Sequence, residues 1–315
     1  MKTKVFIDGS EGTTGLRIFE RFEGRDDIEL LKIDPKMRKD PKARAELINA
    51  SDITFLCLPD VAARESASLV TNEHVTLIDT STAHRVDDAW TYGFPELCRG
   101  QREKIGTSKR IAVPGCYATG FLSLVRPMVE SGLMSPDYPV SAFALSGYSG
   151  AGKKAIAVYE GDEKPAEFNS PREYALTQQH KHLPEMTKMA KLSKTPLFSP
   201  IVDDYYAGMF VSVPLYLDML KAGTGLEMIR EMFASYYEGE TFIKITPEGA
   251  EAESGGFIGA NNRAGWDGLE IYVTGNGERA VLTSRFDNLG KGASGAAIQC
   301  MNIVLGCEET KGLCI

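Results

Sequence analysis

Long apolar runs and an excess of positive charge are both missing from this 315-residue chain. No apolar stretch approaches the roughly 18 residues that a membrane-spanning helix needs, and the first residues reach an acid and a glycine too soon for a secretory signal. We therefore expect a cytoplasmic protein without a membrane partner. Its 35 Lys and Arg against 43 Asp and Glu give a net charge of -8, which disfavours nucleic acid as the main partner and leaves small metabolites.

Metal-ligand and disulfide patterns are missing as well. The six cysteines contain no CxxC pair, and a chain of this size needs no disulfide framework, so we expect neither a metal site nor disulfides. No internal repeat or low-complexity linker is present. The chain does have 43% hydrophobic residues, enough for a sizeable core, and a length that allows two domains.

Strand and helix patterns alternate through the first hundred residues. The predicted strands cover 4–8, 28–33, 53–58 and 75–79, and helical patterns lie between them. Such alternation is typical of an α/β fold with a doubly wound, Rossmann-type parallel sheet, which binds its ligand at the carboxyl ends of the strands.

A glycine-rich turn follows the first predicted strand and opens a helix. This arrangement points backbone N–H groups at a pyrophosphate, so we interpret the turn as a dinucleotide site, although its GxxGxxG spacing departs from the usual GxGxxG. An ordinary structural turn is the alternative. Loops after the third and fourth strands would meet the same ligand. The candidate cofactor residues in these three loops are Gly9, Ser10, Gly12, Thr13, Thr14, Gly15, Leu58, Pro59 and Ser81.

The choice between NAD and NADP stays open at the end of the second strand. Asp34 could accept a hydrogen bond from the ribose 2′-hydroxyl of NAD, whereas Lys36, Arg38 and Lys39 could neutralise the 2′-phosphate of NADP. A solvated loop without a role in binding is a third interpretation of this mixed-charge segment.

Cys116 lies where a short apolar strand ends in a Pro-Gly turn and a helix is predicted from 117 to 131. The helix dipole and the free backbone N–H groups at a helix N-terminus favour a thiolate. Apolar residues recur along this helix at helical spacing, so the thiol would stand on a buried, rigid element. We interpret Cys116 as a nucleophile, with an inert buried thiol as the alternative.

Two of the four histidines, His180 and His182, stand in the segment HKHLPE. An imidazole titrates near neutral pH, so either ring could take a proton from a thiol or return one to an alkoxide. A zinc pair is disfavoured because no third ligand is suggested. A surface pair without a role is the remaining alternative.

A different pattern begins after Cys116. Strands are predicted over 140–145, 209–216, 242–245, 269–274 and 279–285, mostly without crossover helices, which predicts an α+β domain with a largely antiparallel sheet. The loop SGYSGAGKK offers hydroxyls, amides and ammonium groups to a phosphate or carboxylate. Its candidate substrate contacts are Ser149, Gly150 and Lys153, although a flexible turn has the same composition.

Eight segments, taken in order, resemble N-acetyl-gamma-glutamyl-phosphate reductases of the shorter variety across nearly the whole chain. They are GSEGTTG, CLPD, DTSTAHR, YGFPEL, PGCYATG, SGYSGAGKK, HKHLPEM and DNLGKGASGAA. The resemblance implies reduction of N-acetyl-glutamyl 5-phosphate to the 5-semialdehyde with NADPH, releasing inorganic phosphate, in arginine biosynthesis. It also implies the two-domain fold of the glyceraldehyde-phosphate and aspartate-semialdehyde dehydrogenases, and a homodimer or homotetramer.

The same resemblance implies how the domains divide. A dinucleotide-binding domain would comprise 1–115 together with a returning C-terminal helix in 288–315, and a catalytic and oligomerisation domain would comprise 116–287. Asn288, Gly290 and Lys291 would then lie beside the nicotinamide. The small residues at 293–297 that follow fit a flat ligand or another backbone, and tight helix packing is an equal alternative for them.

The resemblance also implies that Cys116 is the nucleophile and that His180 or His182 is the acid-base residue. Arg85 is a further candidate contact with a substrate anion. One departure concerns the segment before Met209, which has no basic residue where longer family members carry one. The group that binds the substrate carboxylate is therefore not identified.

Two other functions fit parts of the pattern. An aspartate-semialdehyde type of dehydrogenase would keep the thiol and differ in its substrate pocket. A non-catalytic dinucleotide-binding sensor would keep the cofactor loops, with Cys116 and His180 only structural. A cysteine hydrolase is disfavoured because it leaves the nucleotide-binding half unexplained.

Overall fold

The computed structural model describes residues 2–315, which divide into two compact units. The first comprises the chain up to Pro95, Arg99–Gly115 and Ala293–Leu313, and the second comprises Glu96–Cys98, Cys116–Gly292 and Cys314–Ile315. The chain passes from one unit to the other between Gly115 and Cys116. Residues 288–292, which were expected in the first domain, lie in the second unit.

The first unit is built on a parallel sheet of six strands. The strands are β1 (Thr3–Asp8), β2 (Ile28–Leu31), β3 (Ile53–Leu56), β4 (Thr76–Asp79), β5 (Thr91–Tyr92) and β6 (Arg110–Ala112). Their order is β2-β1-β3-β4-β6-β5, with every pairing parallel. The helices between them are α1 (Thr13–Phe22), α2 (Pro41–Ala50), α3 (Asp60–Ser68) and α4 (Gln101–Thr107).

The strand order reverses at β1, whose carboxyl end meets that of β3, and such switch points are where open parallel sheets bind ligands. Gly9 follows β1 there with φ at +93°, in the left-handed region. A Cβ atom at Gly9 would lie 2.3 Å from the carbonyl oxygen of Cys57, so only glycine fits this turn.

The second unit contains a mixed sheet of seven strands. The strands are β7 (Ser141–Gly147), β8 (Arg172–Glu173), β9 (Leu197–Asp203), β10 (Met209–Tyr216), β11 (Ile243–Ile245), β12 (Leu269–Gly275) and β13 (Arg279–Phe286). Their order is β11-β12-β13-β10-β7-β9-β8, and the pairings are antiparallel except for β11 with β12 and β7 with β9. The helices are α5 (Cys116–Glu130), α6 (Lys153–Tyr159), α7 (Leu183–Met189) and α8 (Leu226–Tyr236).

Helix α5 is the core of the second unit, since every residue from Tyr117 to Met128 is buried. It packs on β10 and β13 and against α7 and α8. Gly120 makes the contact with the sheet possible, because a Cβ atom there would lie 2.6 Å from Val211 Cγ2 and 2.8 Å from the Phe286 ring. The residue that begins this helix therefore stands on a rigid support.

The last helix, α9 (Gly295–Leu305), belongs to the first unit, where it packs against α4 and β4. A π-helical turn, Gly290–Ser294, precedes it. No helix within 2–315 has the length and apolar character needed to cross a membrane.

The predicted α/β class, with a parallel sheet followed by an α+β domain, is confirmed. Two strands of the second sheet were not predicted. Pro200 interrupts the apolar run of β9, and proline inside a run normally indicates a break. Because β9 is parallel to β7, helices α6 and α7 lie in the crossover between them, and the expectation of few crossover helices was wrong there.

Candidate active site

Cys116 is the first residue of α5, which begins one residue before the predicted start at 117. Its side chain is partly exposed, while the helix behind it is buried. A Cβ atom at Gly292 would lie 2.9 Å from Cys116 Cβ, so the segment after β13 passes directly beside the cysteine. A thiol held at a helix start on a rigid support has the setting of a nucleophile.

Tyr117 carries an aromatic cluster beside Cys116. The rings of His180 and His182 both lie 5.7 Å from the Tyr117 ring, and the two imidazoles are 4.7 Å apart. The Tyr174 hydroxyl donates to the Tyr117 hydroxyl at 3.1 Å. Burial, together with the nearby Tyr174 and Cys116, raises the pKa of Tyr117 well above its usual value, so this phenol stays protonated. The structure therefore brings both predicted histidines to the residue next to the predicted nucleophile.

His180 is held as a neutral imidazole in this cluster. Burial, with a smaller contribution from Lys181, lowers the pKa of His180 to about 4. Its Nδ1 accepts the backbone N–H of His182 at 3.2 Å, and a backbone amide can only donate. The proton of the neutral ring is therefore on Nε2, and His180 can offer a hydrogen bond from that atom.

His182 has a different electrostatic setting. Its Nε2 lies 3.9 Å from the Glu185 carboxylate, one turn along at the start of α7, and both side chains are buried. The contact becomes an ion pair only when the His182 ring is protonated. The two histidines are thus distinguished by their surroundings.

Asn288 joins the predicted anion loop to the segment before β10. Its side-chain amide donates to Ser149 Oγ at 2.9 Å, and its carbonyl oxygen accepts Gly208 N–H at 2.9 Å. Ser149 is itself fully buried, and its N–H bonds to Tyr206 O. Through these bonds, Ser149 and Asn288 hold the two loops together. Gly150 and Lys153 of the predicted anion loop are exposed.

Lys291 is fully buried, and its ammonium donates to both carboxylate oxygens of Glu96 at 2.8 Å. The Phe242 ring lies 4.8 Å from the same nitrogen. This arrangement favours a structural role for the Lys291 side chain over the expected contact with the nicotinamide. The same segment places Gly290 against Trp266 O and Asp267.

The first unit holds a cavity of about 270 Å³ at the switch point of its sheet. It is lined by Asp8, Gly9, Ser10, Glu11, Ile33, Pro35, Arg38, Lys39 and Leu58. Gly12 precedes α1, whose first turn contains Thr13, Thr14 and Gly15, and Pro59 precedes α3. Lys36 is not part of the lining, and its N–H donates to the Asp34 carboxylate at 2.9 Å.

Two predicted residues of the first unit are engaged with the protein itself. Arg85 is buried, and its guanidinium donates to the carbonyl oxygens of Val113 and Thr80. Ser81 bonds to the Asp79 carboxylate through both its N–H and its hydroxyl. For Arg85 this geometry favours a bracing role over the expected contact with a substrate anion.

Sequence reasoning missed Tyr174 and did not give Glu185 a role. Tyr174 lies in a segment without periodicity, so no signal marked it. Glu185 follows His182 by three residues at the start of α7, and in a helix that spacing places both side chains on one face, which is a usable signal. Within residues 2–315, no group of three His, Cys, Asp or Glu side chains forms a metal site.

Two protein-family models match successive parts of the chain. Residues 4–105 match the semialdehyde dehydrogenase NAD binding domain, and residues 116–288 match the semialdehyde dehydrogenase dimerisation domain. Aspartate semialdehyde dehydrogenase II from Vibrio cholerae superposes with a TM-score of 0.73 at 17% identity, covering 97% of this chain and 99% of that one. The enzyme from Francisella tularensis gives 0.73 at 14% identity, covering 96% and 100%. The chain is an oxidoreductase of the semialdehyde dehydrogenase class, with a domain for a nicotinamide dinucleotide.

Relatives that match over nearly the full chain identify one family within this class. N-acetyl-gamma-glutamyl-phosphate reductase 2 of Nostoc sp. is 45% identical over 99% of both chains. The N-acetyl-gamma-glutamyl-phosphate reductase of Rhizobium meliloti is 44% identical over 97% of this chain and 99% of that one. The chain belongs to the N-acetyl-gamma-glutamyl-phosphate reductase family, as the eight sequence segments predict.

Proposed function

We propose that the protein reduces N-acetyl-L-glutamyl 5-phosphate to N-acetyl-L-glutamate 5-semialdehyde with NADPH, releasing phosphate, in arginine biosynthesis. The observation that carries this proposal is the placement of Cys116 at the start of α5, with both histidines packed on the adjacent Tyr117. A nucleophilic thiol beside a proton-transfer group is what conversion of an acyl phosphate into a thioester requires.

The residues at the switch point fit a phosphorylated dinucleotide. The cavity there is bordered by the tight Gly9 turn, which leaves no room for a side chain, and by the cations Arg38 and Lys39. We propose that the turn and the start of α1 hold the pyrophosphate and that Arg38 and Lys39 bind a 2′-phosphate, which favours NADP over NAD. When bound, the nicotinamide supplies the hydride that reduces the thioester.

In the first half-reaction, Cys116 attacks the acyl-phosphate carbonyl. His182 takes the thiol proton, and Glu185 stabilises the imidazolium that results. A C–S bond forms, and the bond to phosphate breaks with its electron pair on the leaving phosphate. The product is a thioester on Cys116, which is far easier to reduce than a carboxylate.

In the second half-reaction, the reduced thioester becomes a hemithioacetal with a developing oxyanion. His180, neutral and carrying its proton on Nε2, donates a hydrogen bond to that oxygen. The His182 imidazolium returns its proton as the C–S bond breaks, which releases the aldehyde and regenerates Cys116.

We further propose a homo-oligomer assembled through one face of the second sheet. Cross-strand register places Phe143, Leu145, Phe210 and Ile201 on the face opposite the buried Val211 and Ala144. Phe143 on this face is exposed, and so is Leu197 on β9. An exposed apolar patch of this kind is typical of a self-association surface. Light scattering after size-exclusion chromatography would measure the mass, and a monomer at micromolar concentration would contradict the proposal.

The reverse reaction tests the function. Purified protein receives N-acetylglutamate 5-semialdehyde, phosphate and NADP, and absorbance reports the reduced cofactor. We expect turnover that requires phosphate and is abolished by Cys116→Ser, whereas Cys307→Ser, at another partly exposed cysteine, keeps it. Without phosphate, we expect a single burst and an acylated Cys116 by mass spectrometry.

Other outcomes assign the alternatives. Turnover of aspartate semialdehyde in place of the N-acetylated aldehyde would indicate an aspartate-semialdehyde dehydrogenase. Cofactor binding without turnover of either aldehyde would indicate a dinucleotide sensor.

A further inference from the structure

Arg172, on the edge strand β8, has no anionic partner among the described residues. No carboxylate within residues 2–315 forms an ion pair with it. Its Nη2 donates to the Tyr159 hydroxyl at 2.7 Å, while its buried Nε has no hydrogen-bond partner. A guanidinium has five N–H donors, so most of its bonding capacity is unused. A partly buried cation without a counter-ion costs free energy unless a ligand supplies one.

The guanidinium is nevertheless held in a fixed position. Its central carbon lies 3.3 Å from the centre of the Phe168 ring and 5.5 Å from that of Tyr159. Tyr159 in turn stacks on Tyr148, with ring centres 4.4 Å apart and planes 8° apart. Cation–π contacts and the single hydrogen bond therefore orient Arg172 before any ligand arrives, which lowers the entropy cost of binding.

Arg172 stands near the nucleophile's aromatic cluster. The Tyr174 N–H donates to Pro200 O, so β8 pairing continues to Tyr174, and residues two apart on a strand share a face. Successive side chains on one face are about 7 Å apart. Tyr174 bonds to Tyr117, the neighbour of Cys116. Arg172 is thus one side-chain spacing from the cluster that surrounds the thiol.

The position of Arg172 also provides a basic group near the segment before Met209, which has none of its own. The segment 203–209 has no basic residue for the substrate carboxylate. Arg172 pairs in register with Val202, directly before that segment, so β8 places a cation where the segment itself has none.

Resting on the proposed function, we infer that Arg172 binds the α-carboxylate of the N-acetylglutamyl substrate. With C–C bonds of about 1.5 Å, the extended chain separates the reacting carbonyl carbon from the carboxylate carbon by about 5 Å, comparable with one side-chain spacing on β8. The phosphate is bonded to the carbon that Cys116 attacks, so its site must adjoin the thiol. The planar guanidinium fork also matches a carboxylate.

The test compares two aldehydes that differ only in this carboxylate. N-acetylglutamate 5-semialdehyde carries it, and 4-acetamidobutanal is the same molecule without it. Oxidation of each is measured with phosphate and NADP for the wild type, Arg172→Gln, Arg172→Lys and the control Arg279→Gln, which changes an exposed arginine at the start of β13. Thermal unfolding shows whether each variant is folded.

We expect Arg172→Gln to lower kcat/KM for N-acetylglutamate semialdehyde by about 10- to 100-fold, the range for lost hydrogen bonds to a charged group. The value for 4-acetamidobutanal and the KM for phosphate should stay unchanged, Arg172→Lys should be intermediate, and Arg279→Gln should resemble the wild type. If Arg172→Gln lowers kcat/KM equally for both aldehydes, or if the KM for phosphate rises instead, the carboxylate assignment is overturned. Absence of wild-type turnover with either aldehyde would refute the proposed function itself.

Discussion

Removing the two cations at the cofactor cavity should change which nicotinamide the protein prefers. Arg38 and Lys39 line the cavity beside Gly9, whereas Lys36 lies outside its lining. We therefore predict that Arg38→Gln with Lys39→Gln raises the KM for NADPH much more than that for NADH. Lys36→Gln should leave both KM values nearly unchanged, a distinction among the three cations that the local sequence pattern does not make.

The magnitude follows from exposure. The Arg38 side chain is 49% exposed and already pairs with Glu11, so its contact with a 2′-phosphate would be screened by water. A hydrogen bond to a charged group contributes about 1.5–3 kcal/mol, and we take about 1 kcal/mol per residue after screening. That corresponds to roughly fivefold for each substitution and about 30-fold for both.

Steady-state kinetics with both reduced cofactors would measure this ratio. Glu11→Gln provides a second arm, because removing the competing carboxylate should release Arg38 and lower the KM for NADPH. Equal changes for NADPH and NADH in the double variant would refute the assignment, and so would an effect confined to Lys36→Gln.

Two predictions concern stability. Gly120→Ala should lower the free energy of unfolding by about 1–3 kcal/mol, because the added methyl group overpacks against Val211 and Phe286. The control Gly106→Ala in α4 adds a methyl group that makes only ordinary contacts, so it should leave the free energy of unfolding unchanged or raise it. Equal denaturant midpoints for the two variants would refute this. Because the pKa of His180 falls from about 6.5 unfolded to about 4 folded, the unfolded chain binds its proton first, so stability should decline as pH drops across that window. As pH falls, the melting temperature of His180→Asn should decline less than that of the wild type or of His74→Asn, which alters an exposed histidine. Parallel plots of melting temperature against pH would count against a buried, neutral His180 ring.

Local signals in the sequence were sufficient for most of the secondary structure. Strand β10 was predicted at its observed bounds, Met209–Tyr216, because alternation and turn residues frame it. The start of α5 was predicted to within one residue from the Pro-Gly turn and the apolar period after it. Strands β8 and β9 were not predicted, because β8 has only two residues and β9 contains a proline.

The sequence by itself determined the class and the family and marked the thiol and the two histidines as candidate site residues, because these depend on local pattern and on motifs contiguous in the chain. Only the tertiary structure decided which charged side chains already have partners. Lys291 is bonded to Glu96, 195 residues away in the sequence, and Arg85 is bonded to Val113, whereas the buried Nε of Arg172 has no hydrogen-bond partner. Such pairings depend on distances between residues remote in sequence, which no local period encodes.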